Sequence, residues 1–146
     1  MKEFAIYTNK NQFKGTCYIE IFPGRNNHKH WNDESVYIFI DAIDVIYDIL
    51  VKVNKHFNQY NNTYFHRTKL KFLFYELSIR INDIKNEYKI NKNNKYRKLI
   101  KYLAKDYYNY INVIIKENRN DIIIMLEDLL KWLKINRKKG ITIIGI

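Results

Sequence analysis

The stretch Ile141-Thr142-Ile143-Ile144-Gly145-Ile146 constrains the fold more than any other. It is β-branched and almost wholly apolar, so left loose it would be an aggregation-prone edge; pairing inside a sheet is the stable alternative. The strands it needs lie at the other end of the sequence. Phe4-Ala5-Ile6-Tyr7 and Thr16-Cys17-Tyr18-Ile19-Glu20-Ile21-Phe22 are rich in β-branched and aromatic residues, with Gly15 in the polar stretch between them and Pro23-Gly24 behind. This pattern predicts an N-terminal β-hairpin. On its second strand Cys17, Ile19 and Ile21 share one face, with Cys17 read as a small buried residue, and Tyr18, Glu20 and Phe22 share the other. Ser35 to Ile40 admits either a third strand or the first turns of a helix. Its β-branched and aromatic content favours strand, with Asp41 then capping a helix.

Between these ends the apolar period changes from 2 to 3.6. Ile43, Ile46, Ile49, Leu50 and Val53 form the buried stripe of a helix ending near Phe57. After a turn-rich break at 58–63, Thr68 opens a second helix with Leu70, Leu73, Phe74, Leu77, Ile81 and Ile84 in register. A third, about Tyr96 to Glu117, aligns Ile100, Leu103, Tyr107, Ile111 and Ile114. The fourth, capped by Asn120, buries Ile122, Leu126, Leu129, Leu130 and Leu133 and stops before Gly140. The expected fold class is α+β: a small antiparallel sheet (N-terminal hairpin, third strand, C-terminal strand) packed against about four helices. A length of 146 residues fits a single globular domain over 1–146, and no linker divides it.

Charge is polarised along this frame. Residues 1–50 hold 5 Lys/Arg against 7 Asp/Glu, residues 51–120 hold 16 against 5, and the net charge is +11. Lysine, isoleucine, asparagine and tyrosine all have A/T-rich codons, so an A/T-rich source genome accounts for much of the lysine excess. It does not account for the clustering. Lys92, Lys95, Arg97, Lys98, Lys101 and Lys105 crowd the basic segment 85–105, with tyrosines interleaved. Lysines on phosphates and tyrosines stacked on bases would make a nucleic-acid groove. Against that, lysines outnumber arginines 20 to 6, and bidentate recognition of phosphate or guanine wants arginine. A solvated helix face is the simpler account.

Asp41, Asp44 and Asp48 recur at helical spacing on one face, a docking surface for a basic partner or a solvated stripe. They are too spread along one helix to converge on a metal. His28, His30, Asp33 and Glu34 in the polar loop lack the second ligand cluster of a zinc site. No metal site and no cofactor are expected. Glycines at 15, 24, 140 and 145 cannot build a phosphate loop, and Ser35 and Ser78 have no glycine-flanked elbow, so enzymatic activity is disfavoured. Phe57, Tyr60, Tyr64 and Phe65 read as a lid on the core. Trp132 lies beside the last helix's buried stripe, while Trp31, in the polar loop, is the more exposed tryptophan. The longest apolar run, Ile122 to Leu126, is five residues, far short of a membrane span. With no apolar h-region behind Met1 and a lone Cys17, a reducing cytoplasm is the expected location.

A strand at Val36 to Ile40 runs into a helix, followed by Asn54-Lys55-His56-Phe57-Asn58-Gln59-Tyr60 and a helix bearing Leu73, Glu76, Leu77 and Arg80. A last helix, Ile124-Met125-Leu126-Glu127-Asp128-Leu129-Leu130-Lys131-Trp132-Leu133, leads to a Gly-Ile-Thr-Ile strand. In this order of elements the chain resembles small bacterial proteins grouped with the immunity proteins of polymorphic toxin systems. The resemblance spans roughly two thirds of the chain as a pattern of apolar positions and turns, without a diagnostic motif. It implies a non-enzymatic binding protein that neutralises a toxin by occluding it, and it carries over no catalytic residues. Inhibitors of nucleases tend to be acidic, whereas this chain is basic, so the implied target surface is acidic. The alternatives are nucleic-acid binding through segment 85–105 and homo-oligomerisation through a sheet edge or exposed aromatics.

Overall fold

Two antiparallel pairings bring the chain ends together. Strand β1 (Tyr18–Pro23) pairs with β2 (Val36–Phe39) on one side and with β4 (Ile141–Ile144) on the other. Strand β3 (Thr63–Phe65) closes the far edge of β4, giving the order β2-β1-β4-β3. A computed structural model provides this description for residues 2–12, 17–26, 29–90 and 106–145. The apolar C-terminal segment is therefore a central strand, with all four of its residues buried. Gly140 turns the chain into it at φ 71°, and a Cβ at Gly145 would lie 2.5 Å from the Asn61 backbone nitrogen.

Register sorts the two faces. Ile19 opposite Ile38, Ile21 opposite Val36 and Ile143, and Phe65 opposite Ile141 form the inner face. These residues are buried against the helices, as period-2 patterning requires. The outer face carries Glu20, Tyr37 and Thr142. All three are buried too, because the connection between β1 and β2 folds back across that face.

The N-terminal hairpin is thus β1 with β2, and Phe4 to Tyr7 is not its first arm. Tyr7 contributes one isolated bridge to Tyr37, and Phe4 is buried in the core. Cys17 is exposed, because β1 begins only at Tyr18. Strand β3 falls at the end of the stretch read as a break; three residues are too few to show a period.

Helix α1 (Ile40–Ile43) follows β2 directly, with Phe39 at the cap position, so Asp41 lies in the first turn without capping it. A 3-10 turn (Asp44–Ile46) separates it from α2 (Tyr47–Val53). Helix α3 (Arg67–Lys85) starts one residue ahead of Thr68, capped by His66, whose Nδ1 accepts from the Thr68 backbone nitrogen at 3.3 Å. Of its expected stripe, Leu70, Leu73, Leu77, Ile81 and Ile84 are buried and Phe74 is partly buried beside them. Glu87, at φ 59°, ends it in a left-handed turn with Glu87 N bonded to Ile84 O and Tyr88 N to Asp83 O. Helix α4 (Tyr107–Glu117) and helix α5 (Arg119–Ile135) complete the layer; the start expected for α4 at Tyr96, with Ile100 and Leu103, lies outside the described residues, and Asn118, not Asn120, occupies the cap position of α5. The architecture is α+β, with four strands and five α-helices among the described residues. None of these helices is long and apolar enough to cross a membrane.

Candidate functional site

The acidic residues of the first helical segment do not share a face. A 3-10 turn advances about 120° per residue against 100° for an α-helix, so three such residues rotate the start of α2 by about 60°. That rotation carries Asp48 into the interior, where its residue is 6 % exposed, while Asp41 stays in solvent and Asp44 is half-buried. The docking stripe expected from Asp41, Asp44 and Asp48 is therefore corrected to one exposed carboxylate, one half-buried and one buried anchor.

Asp48 meets Arg80 from α3 in a bidentate pair, Nη1 to Oδ1 at 3.1 Å and Nη2 to Oδ2 at 2.7 Å. Arg80 Nη1 also donates to the Val45 carbonyl at 2.6 Å. From α4 the Tyr107 and Tyr108 hydroxyls each lie 3.2 Å from an Asp48 oxygen, and the Tyr107 hydroxyl also bonds the Asp44 carbonyl. Burial alone would lower the guanidinium's pKa, and Asp48 beside it more than reverses that. Burial, followed by the Asp48 charge, holds the Tyr107 hydroxyl protonated well beyond its ordinary range. The cluster ties α2, α3 and α4 together. Its polar atoms are bonded to one another across the three elements.

Asp44 behaves differently. Burial first, then the neighbouring Asp41 charge, raises its carboxyl from 3.8 to about 6. A raised acid pKa means that the folded state holds the proton more tightly, so this group's stabilising influence is present below pH 4 and lost as pH rises through 6. Replacing Asp44→Asn is expected to stabilise the fold at pH 7–8 by about 1 kcal/mol, after discounting for solvent screening. In urea titrations the gain should vanish below pH 4; a gain independent of pH would contradict this assignment.

A second buried carboxylate organises a surface. Glu20, at the centre of the sheet's outer face, is 2 % exposed. Its Oε2 accepts from the Trp31 backbone nitrogen at 2.8 Å. Its Oε1 accepts from Asn32 N at 2.9 Å, Asn32 Nδ2 at 2.8 Å and Ser35 Oγ at 2.7 Å. The Tyr37 hydroxyl, kept protonated by burial and by the Glu20 charge, donates to the Asn32 carbonyl at 2.7 Å. So held, Trp31 adopts φ 64°, a left-handed conformation costly for a bulky residue. Its ring packs at a 46° tilt on Tyr18 with centroids 4.6 Å apart, yet the residue stays 40 % exposed. Lys10 donates to the Trp31 carbonyl and pairs with Asp33 at the rim.

Comparison with protein-family models, with curated proteins and with solved structures finds no match to this chain. What the molecule can do is therefore read from its own surfaces.

Lys92, Lys95, Arg97, Lys98, Lys101 and Lys105, the expected nucleic-acid contacts, lie outside the described residues, as does His28. His30 and His56 are exposed, and His66 is the cap of α3. Among the described residues no three His, Cys, Asp or Glu side chains gather as a metal site would require. Phe57 and Phe65 are buried in the core, whereas Tyr60 projects into solvent. Trp31 stood out in the sequence as an exposed tryptophan, but its clamp did not. The available signal was Glu20 itself, a charge between two isoleucines on a strand, followed by a loop rich in hydrogen-bond donors.

Proposed function

We propose that this chain is a non-enzymatic binding protein that neutralises a protein partner, of the toxin class, by covering its working surface. The observation that supports this reading is Trp31, held exposed in a strained backbone conformation by the buried Glu20 carboxylate. Strain of about 1–3 kcal/mol persists only where surrounding bonds enforce it, and such positions cluster at functional surfaces. An aromatic side chain fixed before contact loses little entropy on binding, which is how tryptophan and tyrosine come to dominate interface energetics. The resemblance to immunity proteins supplies the partner class.

The test is co-expression with the product of the adjacent gene. Rescue of growth and a stable complex are expected from the native chain. Trp31→Ala should weaken the complex at least thirtyfold, roughly the 2 kcal/mol of an interface hot spot, with the thermal midpoint little changed. No rescue by the native chain, or full rescue by a folded Trp31→Ala protein, would defeat the proposal.

One observation favours a homo-oligomeric reading. Phe72, Tyr75 and Ile79 recur at helical spacing on the outward face of α3, and all three are exposed. Light scattering at two concentrations separates self-association through this stripe from binding to another protein.

A further inference from the structure

The first turn of α3 breaks the rule for a helix start. Negative charge is favoured there and cations are disfavoured, because the helix dipole is positive at that end. This turn contains no acidic residue; it carries Arg67 and Lys69, with Lys71 one step further. Arg67 and Lys71 are also like charges at i and i+4, which repel. Lys69 turns away to the Val53 carbonyl, at 3.4 Å. Arg67 and Lys71 instead line a hollow of about 430 Å³ with Thr68 and with Arg137 and Lys138 from the 3-10 turn after α5. None of the four cations makes a salt bridge among the described residues. Lys139, the third residue of the same 3-10 turn, adds a further cation next to them in the chain.

From this convergence we infer that the hollow binds a small anion carrying a diphosphate group. Four cations without a carboxylate between them repel one another, and a multiply charged anion removes that repulsion. Two of them are arginines, whose planar forks match phosphate oxygens in pairs. Codon bias toward lysine does not supply a pair of arginines drawn from α3 and the turn after α5. A single carboxylate would leave most of the positive charge unbalanced, whereas a diphosphate matches it closely. The Thr68 and Leu70 backbone nitrogens are already engaged by His66, so the inference rests on the four side-chain cations and not on those amides. The concave shape suits a small ligand better than an extended nucleic-acid strand, which needs a groove tracking many phosphates. This site is separate from Trp31 and stands whether or not that surface binds a protein.

The experiment is calorimetric titration of the full chain with inorganic pyrophosphate and, in parallel, with a nucleoside diphosphate at the same ionic strength. Saturable binding near or below about 1 mM is expected. Arg67→Gln with Arg137→Gln should weaken it at least tenfold, while Lys116→Gln, on α4, should leave it unchanged. The double variant should also melt no lower than the native chain without ligand, since it relieves repulsion, and should lose the upward shift that pyrophosphate gives the native chain. Equal affinity for the two probes assigns the site to the diphosphate alone; tighter binding of the nucleotide assigns it to a nucleoside diphosphate. Absence of saturation at about 10 mM overturns the inference. So does equal weakening by Lys116→Gln, or salt-sensitive binding of a short single-stranded oligonucleotide without binding of either diphosphate.

Discussion

Arg80→Met is expected to cost about 3–5 kcal/mol, a large part of the 5–15 kcal/mol by which a domain of this size is usually stable. The loss comes less from the vanished attraction than from what remains. Asp48 would sit buried with its charge uncompensated, and the Val45 carbonyl would lose its donor. The Tyr107 and Tyr108 hydroxyls would still reach the Asp48 oxygens, but neutral donors do not balance the charge. The pairing itself is worth much less than this penalty, because both ions were stripped of water to form it. Arg80→Met combined with Asp48→Leu should therefore recover most of the stability lost by the single variant. Urea midpoints of the native chain, both single variants and the double variant form the cycle that measures it. A loss under 1 kcal/mol for Arg80→Met would show that solvent reaches the pair.

The second large effect is expected at Glu20. Glu20→Ala removes the acceptor of four hydrogen bonds and leaves the donors of Trp31, Asn32 and Ser35 without it. Bonds to a charged group contribute about 1.5–3 kcal/mol each, but the freed loop can turn some of its donors to water. A net loss of about 3 kcal/mol is expected. The local signature matters more than the total. In a Trp132→Phe background, Trp31 emission should shift to the red and the segment around it should become a protease site, while the helices keep their circular dichroism. An unshifted Trp31 signal would mean that packing on Tyr18, not the carboxylate, holds the ring. If Trp31 contacts a protein partner as proposed, this variant should weaken that complex beyond what its stability loss accounts for.

Much of the fold was legible because it rests on periods. Ile19 and Ile21 alternate, Leu70 to Ile84 recur at helical spacing, and each lands on the expected face. The C-terminal strand was legible from its apolarity alone. Position within the sheet was not: β3 is too short to carry a pattern, and only β4's need for a second neighbour draws it in. Asp48 was misplaced because a three-residue 3-10 turn shifts phase, and tertiary packing sets that turn, not local propensity. The basic hollow was invisible for another reason. Arg67 and Arg137 are far apart in sequence, and only the packing of the last turn against α3 makes them neighbours. Cations dense along the chain pointed to phosphate contacts in segment 85–105; the fold gathers a second group elsewhere.

The central position of β4 also sets an order of events during synthesis. Thr142 bonds the Gly24 carbonyl across 118 positions, and among the described residues β1 with β2 is the only pairing between strands near in sequence. Until β4 emerges, β1 offers one side of its backbone, flanked by isoleucines, to any other extended chain. Contacts of such range make folding slow, since the loop must close before the pairing rewards it. The nascent hairpin is thus exposed for nearly the whole time the ribosome takes to deliver the residues that seal it, and that interval, more than the finished structure, is where this protein is vulnerable.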